Sequence, residues 1–236
     1  MPNVNFPTAN AQKVVSIWPT DQALCDEGSY YTACSPTPLT TIAGTANQLV
    51  LDSATTGQLN PYLLITNGSS PSNTNARTIF PKYLKMKCGI GGTWTASTDY
   101  CYTIRVDDIT SKYTSGGSLI TPQNTNTGSS LGSSAIIHAG ALVTLAMDPV
   151  TGRLLYNGMI EGAIPVAKNV WTFTFGDNAM DTNILGASAL KSITIPLGSF
   201  GIAPGWNMQL DLFGTANTGT PSWEFEMGYA ERVSGL

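Results

Sequence analysis

Charge is what this sequence has least of. Asp, Glu, Lys and Arg make up 11% of its 236 residues, against about 25% in an average soluble domain. The long charged side chains that clothe exposed helices are scarce, which argues against a mainly helical fold. Basic residues are the rarer sign, 11 against 15 acidic, for a net charge of -4. A nucleic-acid binder needs a basic face to displace counterions from phosphates, and an electrostatic membrane anchor needs one for anionic headgroups, so neither partner is expected. Long apolar runs are missing too. The most apolar stretch, residues 135–147, contains His138 and falls short of the roughly 20 residues that span a bilayer. The opening MPNVNF lacks the basic and then apolar regions of a secretory signal, so folding in a cytosol is expected. Histidine occurs once, and Cys25, Cys34, Cys88 and Cys101 form no CxxC pair, which removes the usual zinc layouts. No metal or other cofactor is expected. Cys88 and Cys101 read as reduced, half-buried thiols, while Cys25 and Cys34 bracket a short loop and would bridge only in an oxidising compartment.

What is present is 42% hydrophobic residues in a background of Thr, Ser, Asn and Gly, a composition that favours strands and turns. Period-2 alternation marks half-buried strands. Leu84, Met86 and Cys88 alternate with Tyr83, Lys85 and Lys87, and Tyr102, Ile104 and Val106 alternate with Cys101, Thr103, Arg105 and Asp107. The same signature recurs at Trp171, Phe173 and Phe175, at Trp206, Met208, Leu210 and Leu212, and at Trp223, Phe225, Met227 and Tyr229. Further strands are expected at 48–51, 62–66 and 192–197. Residues 141–160 read as a hairpin around Asp148-Pro149-Val150-Thr151-Gly152, a sequence suited to a type I turn closed by a left-handed residue. Residues 114–134 form a long Ser/Thr/Asn/Gly tract, low in charge, of a length that compact domains rarely carry without a use for it. One short helix at most is expected, at 178–190. Nine or ten strands from Gln48 onward predict an all-β fold, a two-sheet antiparallel β-sandwich that a jelly roll fits best. Residues 1–40, rich in Pro, Asn and Asp with a single strand-like run at Val14–Trp18, read as an extended N-terminal arm, and residues 41–236 as the sandwich domain, which should fold without the arm.

Catalytic signals are thin. His138 sits inside an apolar strand, where a satisfied or interface histidine is the simpler reading. Residues 128–132 match G-x-S-x-G, but in a loop, with no carboxylate between Ser130 and His138. Glu224 and Glu226 share one strand face and suggest a carboxylate pair for glycoside hydrolysis, although a solvated or subunit-facing edge explains them as well. Asp107 and Asp108 match no calcium loop. Asn67-Gly68-Ser69 has the glycosylation spacing but reads as a turn. Trp18, Tyr30 and Tyr31 fall in the arm, outside any core the later strands would make, and need something to pack on.

Residues 76–85 (ARTIFPKYLK), 102–107 (YTIRVD), 112–124 (KYTSGGSLITPQN) and 171–176 (WTFTFG) resemble virion proteins encoded among the head genes of tailed bacteriophages. The resemblance covers the middle of the chain. It implies a capsid decoration, or cement, protein: a jelly-roll module on the outside of the head shell, often a homotrimer, with a terminal arm that reaches its neighbours. The expected partners are then the major capsid protein and further copies of the chain, the expected location is the virion surface after assembly in the bacterial cytoplasm, and no reaction is expected. The residues expected at the subunit or shell contact are Val15, Ile17, Trp18, Tyr30 and Tyr31. Three other readings compete. They are a tail-fibre or receptor-binding module that holds a glycan through Trp94 or Tyr100, the major capsid protein itself, and a carbohydrate-active enzyme using Glu224 and Glu226.

Overall fold

The computed structural model describes residues 20–35, 42–43, 61–88, 100–161, 169–176, 192–214 and 222–233. These residues form a short helix, α1 (Thr20–Asp26), and thirteen strands: β1 (Tyr30–Cys34), β2 (Ile42–Ala43), β3 (Leu63–Asn67), β4 (Arg77–Cys88), β5 (Tyr100–Asp107), β6 (Tyr113–Ile120), β7 (Gln123–Asn124), β8 (Ala135–Thr144), β9 (Arg153–Glu161), β10 (Val170–Phe175), β11 (Ser192–Leu197), β12 (Asn207–Gly214) and β13 (Ser222–Val233). The strands fall into two packed sheets. One has the order β11-β10-β4-β13-β1-β7, with β2 also on β13, and the other has β6-β8-β3-β12-β5-β9. All pairs are antiparallel except β10 with β11.

The order has a simple logic. If β1, β3, β4, β5, β9, β10, β12 and β13 are taken as first to eighth, the first sheet contains 1-8-3-6 and the second 2-7-4-5. That interleaving is the jelly roll, in which the chain passes repeatedly from one sheet to the other. Strands β6, β7 and β8 are an excursion between the fourth and fifth strands. It extends the second sheet beyond β3 and adds β7 to the free side of β1.

Alternation explains why these segments are strands. In β4 the side chains of Leu84, Met86 and Cys88 are buried while Lys85 and Lys87 are not. A one-residue slip would reverse the two sets, so the buried face fixes the register. Between the sheets, Tyr102 meets Phe173 edge-on at 5.1 Å and the Tyr62 hydroxyl donates to the Trp223 carbonyl at 3.2 Å, while within the first sheet Trp171 lies 4.4 Å from Trp223 across β4. The two longest strands, β4 and β13, pair along their whole length with a bulge between Gly228 and Tyr229. Glycine is required there, since a Cβ at Gly228 would overlap the Tyr83 ring and the Tyr30 hydroxyl.

Two expectations are corrected. Residues 141–160 are not a hairpin. The Asp148 turn forms, with the Asp148 carboxylate accepting from the Val150 and Thr151 amides at 2.7 and 2.9 Å, but Gly152 does not close it in the left-handed region. The strands it joins, however, pair elsewhere: β8 lies between β6 and β3, and β9 is beside β5 at the far edge. Local turn chemistry fixed the turn, whereas longer-range pairing chose the neighbours. The 114–134 tract, read as loop, supplies β6 and β7 and a closing segment at 125–134. The expected segments at 14–18, 48–51 and 178–190 lie outside the described residues.

Candidate interaction surface

The five residues expected at the subunit contact are not brought together. Val15, Ile17 and Trp18 lie outside the described residues. Tyr30 and Tyr31 belong to β1, which is hydrogen-bonded between β13 and β7. Tyr31 is 1% exposed and stacks on Tyr229 at 5.7 Å, while Tyr30 packs with Leu24 and Ala230. Tyr31 faces the core between the sheets and Tyr30 a separate small cluster with Leu24 of α1, and residues 20–35 are part of the sandwich rather than of an arm. The signal that could have found this is the alternation of Tyr31 and Ala33 with Thr32 and Cys34. Their partner Tyr229 lies near the other end of the sequence, so no local pattern reveals the pairing.

Exposed apolar side chains lie elsewhere, spread over both edges of the second sheet. Of the eight large hydrophobic residues exposed among the described residues, seven fall between positions 119 and 159: Leu119, Leu131, Ile136, Leu145, Val150, Leu154 and Met159. Five of these belong to the excursion between β5 and β9. Leu119 and Ile136 lie diagonally across the β6–β8 pair, on the face that carries His138, because Leu119 is directly opposite His138. The neighbouring backbone makes room for Ile136, since a Cβ at Gly68 would come within 3.2 Å of its Cδ1. The Tyr113 ring stacks on the His138 imidazole at 3.9 Å. Burial lowers the His138 pKa below the usual imidazole value.

One row across the second sheet shows how this surface is framed. It runs Leu119, His138, Leu64, Gln209, Arg105, Leu154. The ends are exposed and apolar, and the centre is sealed. Below the centre lies a group of buried charges. Lys112 Nζ donates to Asp107 at 2.5 Å and to the Ala146 carbonyl at 2.9 Å, so it ties the segment entering β6 to the segment leaving β8. Arg105 lies 3.7 Å from Asp211, which also accepts from Thr103 at 2.8 Å. Burial lowers the Lys112 pKa against the opposing pull of the Asp107 carboxylate. Burial likewise raises Asp211 to about 6, partly offset by Arg105, the Thr103 hydroxyl and Lys112. Among the described residues, Asp211 Oδ1 and both side-chain polar atoms of Gln209 have no hydrogen-bond partner.

A second polar group holds the loop 125–134 against the end of the sandwich. Glu231, 1% exposed, accepts from the Ser133 hydroxyl at 2.6 Å, from the Ser134 amide at 2.8 Å and from Arg77 at 3.3 Å. Arg77 also donates to the Tyr31 hydroxyl at 3.2 Å and the Gly132 carbonyl at 3.0 Å. Ser133 Oγ is engaged on every side, by Glu231, by the Tyr229 hydroxyl at 2.7 Å and by the Ala135 amide at 3.0 Å. This geometry clamps a loop. A serine hydroxyl so occupied has no lone pair free for attack.

The remaining candidates are placed as follows. Glu224 is paired with Lys87 at 3.0 Å, and Glu226 accepts from the Tyr83 hydroxyl at 2.6 Å, so both carboxylates are engaged on the outer face of the first sheet. Ser130 is exposed in the 125–134 loop. Asp107 faces Lys112, while Asp108 accepts from Thr151. Asn67 is buried and donates to the Arg77 and Ile202 carbonyls at 2.7 and 2.9 Å while accepting from the Ser69 amide, the turn its sequence suggested. Tyr100 opens β5, and Trp94 lies outside the described residues. The four cysteines form no disulfide with one another, and Cys88 is buried, Cys25 and Cys101 half-buried and Cys34 exposed.

Compared with protein-family profiles, with curated proteins and with solved structures, the chain matches none.

Proposed function

We propose that this chain is a structural virion protein, a decoration or cement protein that binds the outer surface of a phage head and stabilises contacts between capsomers. The observation that carries the reading is the pair of exposed apolar side chains Leu119 and Ile136, cross-strand diagonal neighbours on β6 and β8 of the excursion, mounted on a jelly roll that has a buried core of its own. Surface of this kind marks a contact with another protein. Buried ion pairs and the Glu231 clamp hold its segments in place, which removes ordering cost from binding. The resemblance of residues 76–85, 102–107, 112–124 and 171–176 to head-gene virion proteins points the same way. The chain acts by occupying a site, and its partners are the major capsid protein and its own copies. Purified chain added to heads that lack it should co-sediment with them and raise the temperature at which they rupture. Chain left in the supernatant, with rupture unchanged, would refute the reading.

A second reading is favoured by the strand order itself. The interleaved 1-8-3-6 and 2-7-4-5 sheets are an arrangement used by viral shell subunits, so the chain would form the shell as its major protein. Shells that assemble in the absence of the chain exclude it.

A further inference from the structure

We infer that the outer surface of β6 and β8, centred on Leu119 and Ile136, is where copies of this chain meet one another. The inference deepens the proposed function by naming the occupant of one surface, and it rests on that reading only for its biological setting.

The argument is electrostatic first. Residues 113–147 contain no Asp, Glu, Lys or Arg. The whole chain carries a net charge of -4, so two copies repel at long range and gain least by meeting at charged patches. The outer face of the first sheet carries Lys87, Glu224 and Glu226, and the start of β9 is flanked by Asp108, Asp148 and Arg153. The β6–β8 surface lets identical copies approach without burying a charge. The ionic pairs that flank it, Lys112 with Asp107 and Arg77 with Glu231, are already matched. His138 adds no charge at neutral pH, because burial lowers its pKa and its ring is stacked on Tyr113.

The second argument is apolar. Leu119 is 65% exposed and Ile136 44%, and cross-strand diagonal neighbours of this kind lie close enough to form one patch. The third is the strand edge. Among the described residues β6 pairs with β8 alone, yet its ladder is broken by register shifts, and Gly116 and Gly117 have φ of +85° and +62°. Such kinks prevent a second β6 from continuing the sheet without limit. Copies therefore meet through side chains, in a closed assembly rather than a fibre.

The test is sedimentation velocity and light scattering on the full chain across a concentration series. The wild type should self-associate. Leu119→Asp and Ile136→Asp, each at an exposed position and each with an unchanged melting temperature, should weaken association by at least about tenfold, since each places a like charge from every copy into the contact. Val150→Asp, at a residue 87% exposed but outside the charge-free surface, should associate as the wild type does. Both patch variants associating normally, or Val150→Asp dissociating equally, would overturn the inference. So would a wild type that stays monomeric. If that monomer still binds heads and Leu119→Asp abolishes the binding, the surface belongs to the shell and the virion reading survives. If it binds no heads at all, both fail.

Discussion

A carboxylate sealed inside a protein is least comfortable where its charge has fewest partners, and one oxygen of Asp211 has no hydrogen-bond partner among the described residues. Its pKa is raised to about 6 from an ordinary value of 3.8, chiefly by burial. The folded protein therefore holds a proton that the unfolded chain has released between those two values, and stability falls as pH rises through that window. Asp211→Asn should abolish this slope, which on the order of 2–3 kcal/mol would span, in urea unfolding measured from pH 4 to 7. A slope unchanged in the variant would contradict the assignment. Lys112 makes the opposite case. Its ammonium group holds Asp107 and a loop carbonyl together, and Lys112→Met leaves a buried carboxylate unpaired, at a cost of about 3–5 kcal/mol. The double variant Asp107→Asn with Lys112→Met should recover much of that loss. None of these pairs was legible in the sequence beforehand. Asp107 and Arg105 show only as the polar half of an alternating strand, and the partners that seal them arrive from β12 and from the turn before β6.

Strands were legible where one face is apolar and the other is not. β4, β5, β10, β12 and β13 all announce themselves by alternation, because each has one apolar face in the core and one more polar face, half-buried in β4 and buried in β5, β10 and β12. β6 did not, since its residues are small, polar and exposed along nearly its whole length, as an edge strand with a glycine kink can be. β1 was misassigned to an arm because five residues amid Pro and Asn carry too little pattern, and the strand that buries them is β13. The correction has a consequence for truncation. Removal of residues 1–40 deletes α1 and β1, and with them Tyr31 and Ala33 from the core, so the product should lose its cooperative thermal transition and its near-ultraviolet circular dichroism. Tyr31→Ala alone should cost about 3–5 kcal/mol, the range for loss of a large aromatic from a core. A truncated chain that melts like the full one would show that β1 adds nothing to the sandwich.

On the scale of the whole molecule, the eight-strand jelly roll supplies the frame and the excursion supplies most of the exposed apolar side chains among the described residues. The excursion carries the chain from one edge of the second sheet to the other and back, and it displays five of the eight exposed large hydrophobic residues on the way. The sequence showed that this region was long, polar and short of charge, which was enough to ask what it is for. It did not show that β8 and β9 part company after the Asp148 turn, because strand partners are chosen by the packing of distant segments and not by the turn that joins them. If the proposed function holds, chain bound to heads should resist release by salt better than a charge-mediated partner would, since screening weakens ionic contacts and leaves apolar ones in place. Occupancy on purified heads should change little between 0.05 and about 0.5 M NaCl, a range over which ionic contacts lose most of their reach. The most direct measurement is a cryo-electron microscopy map of the native particle. The account predicts jelly-roll density on the outer surface of the head, with the β6–β8 face turned toward a neighbouring copy, and a particle map without that density would contradict it.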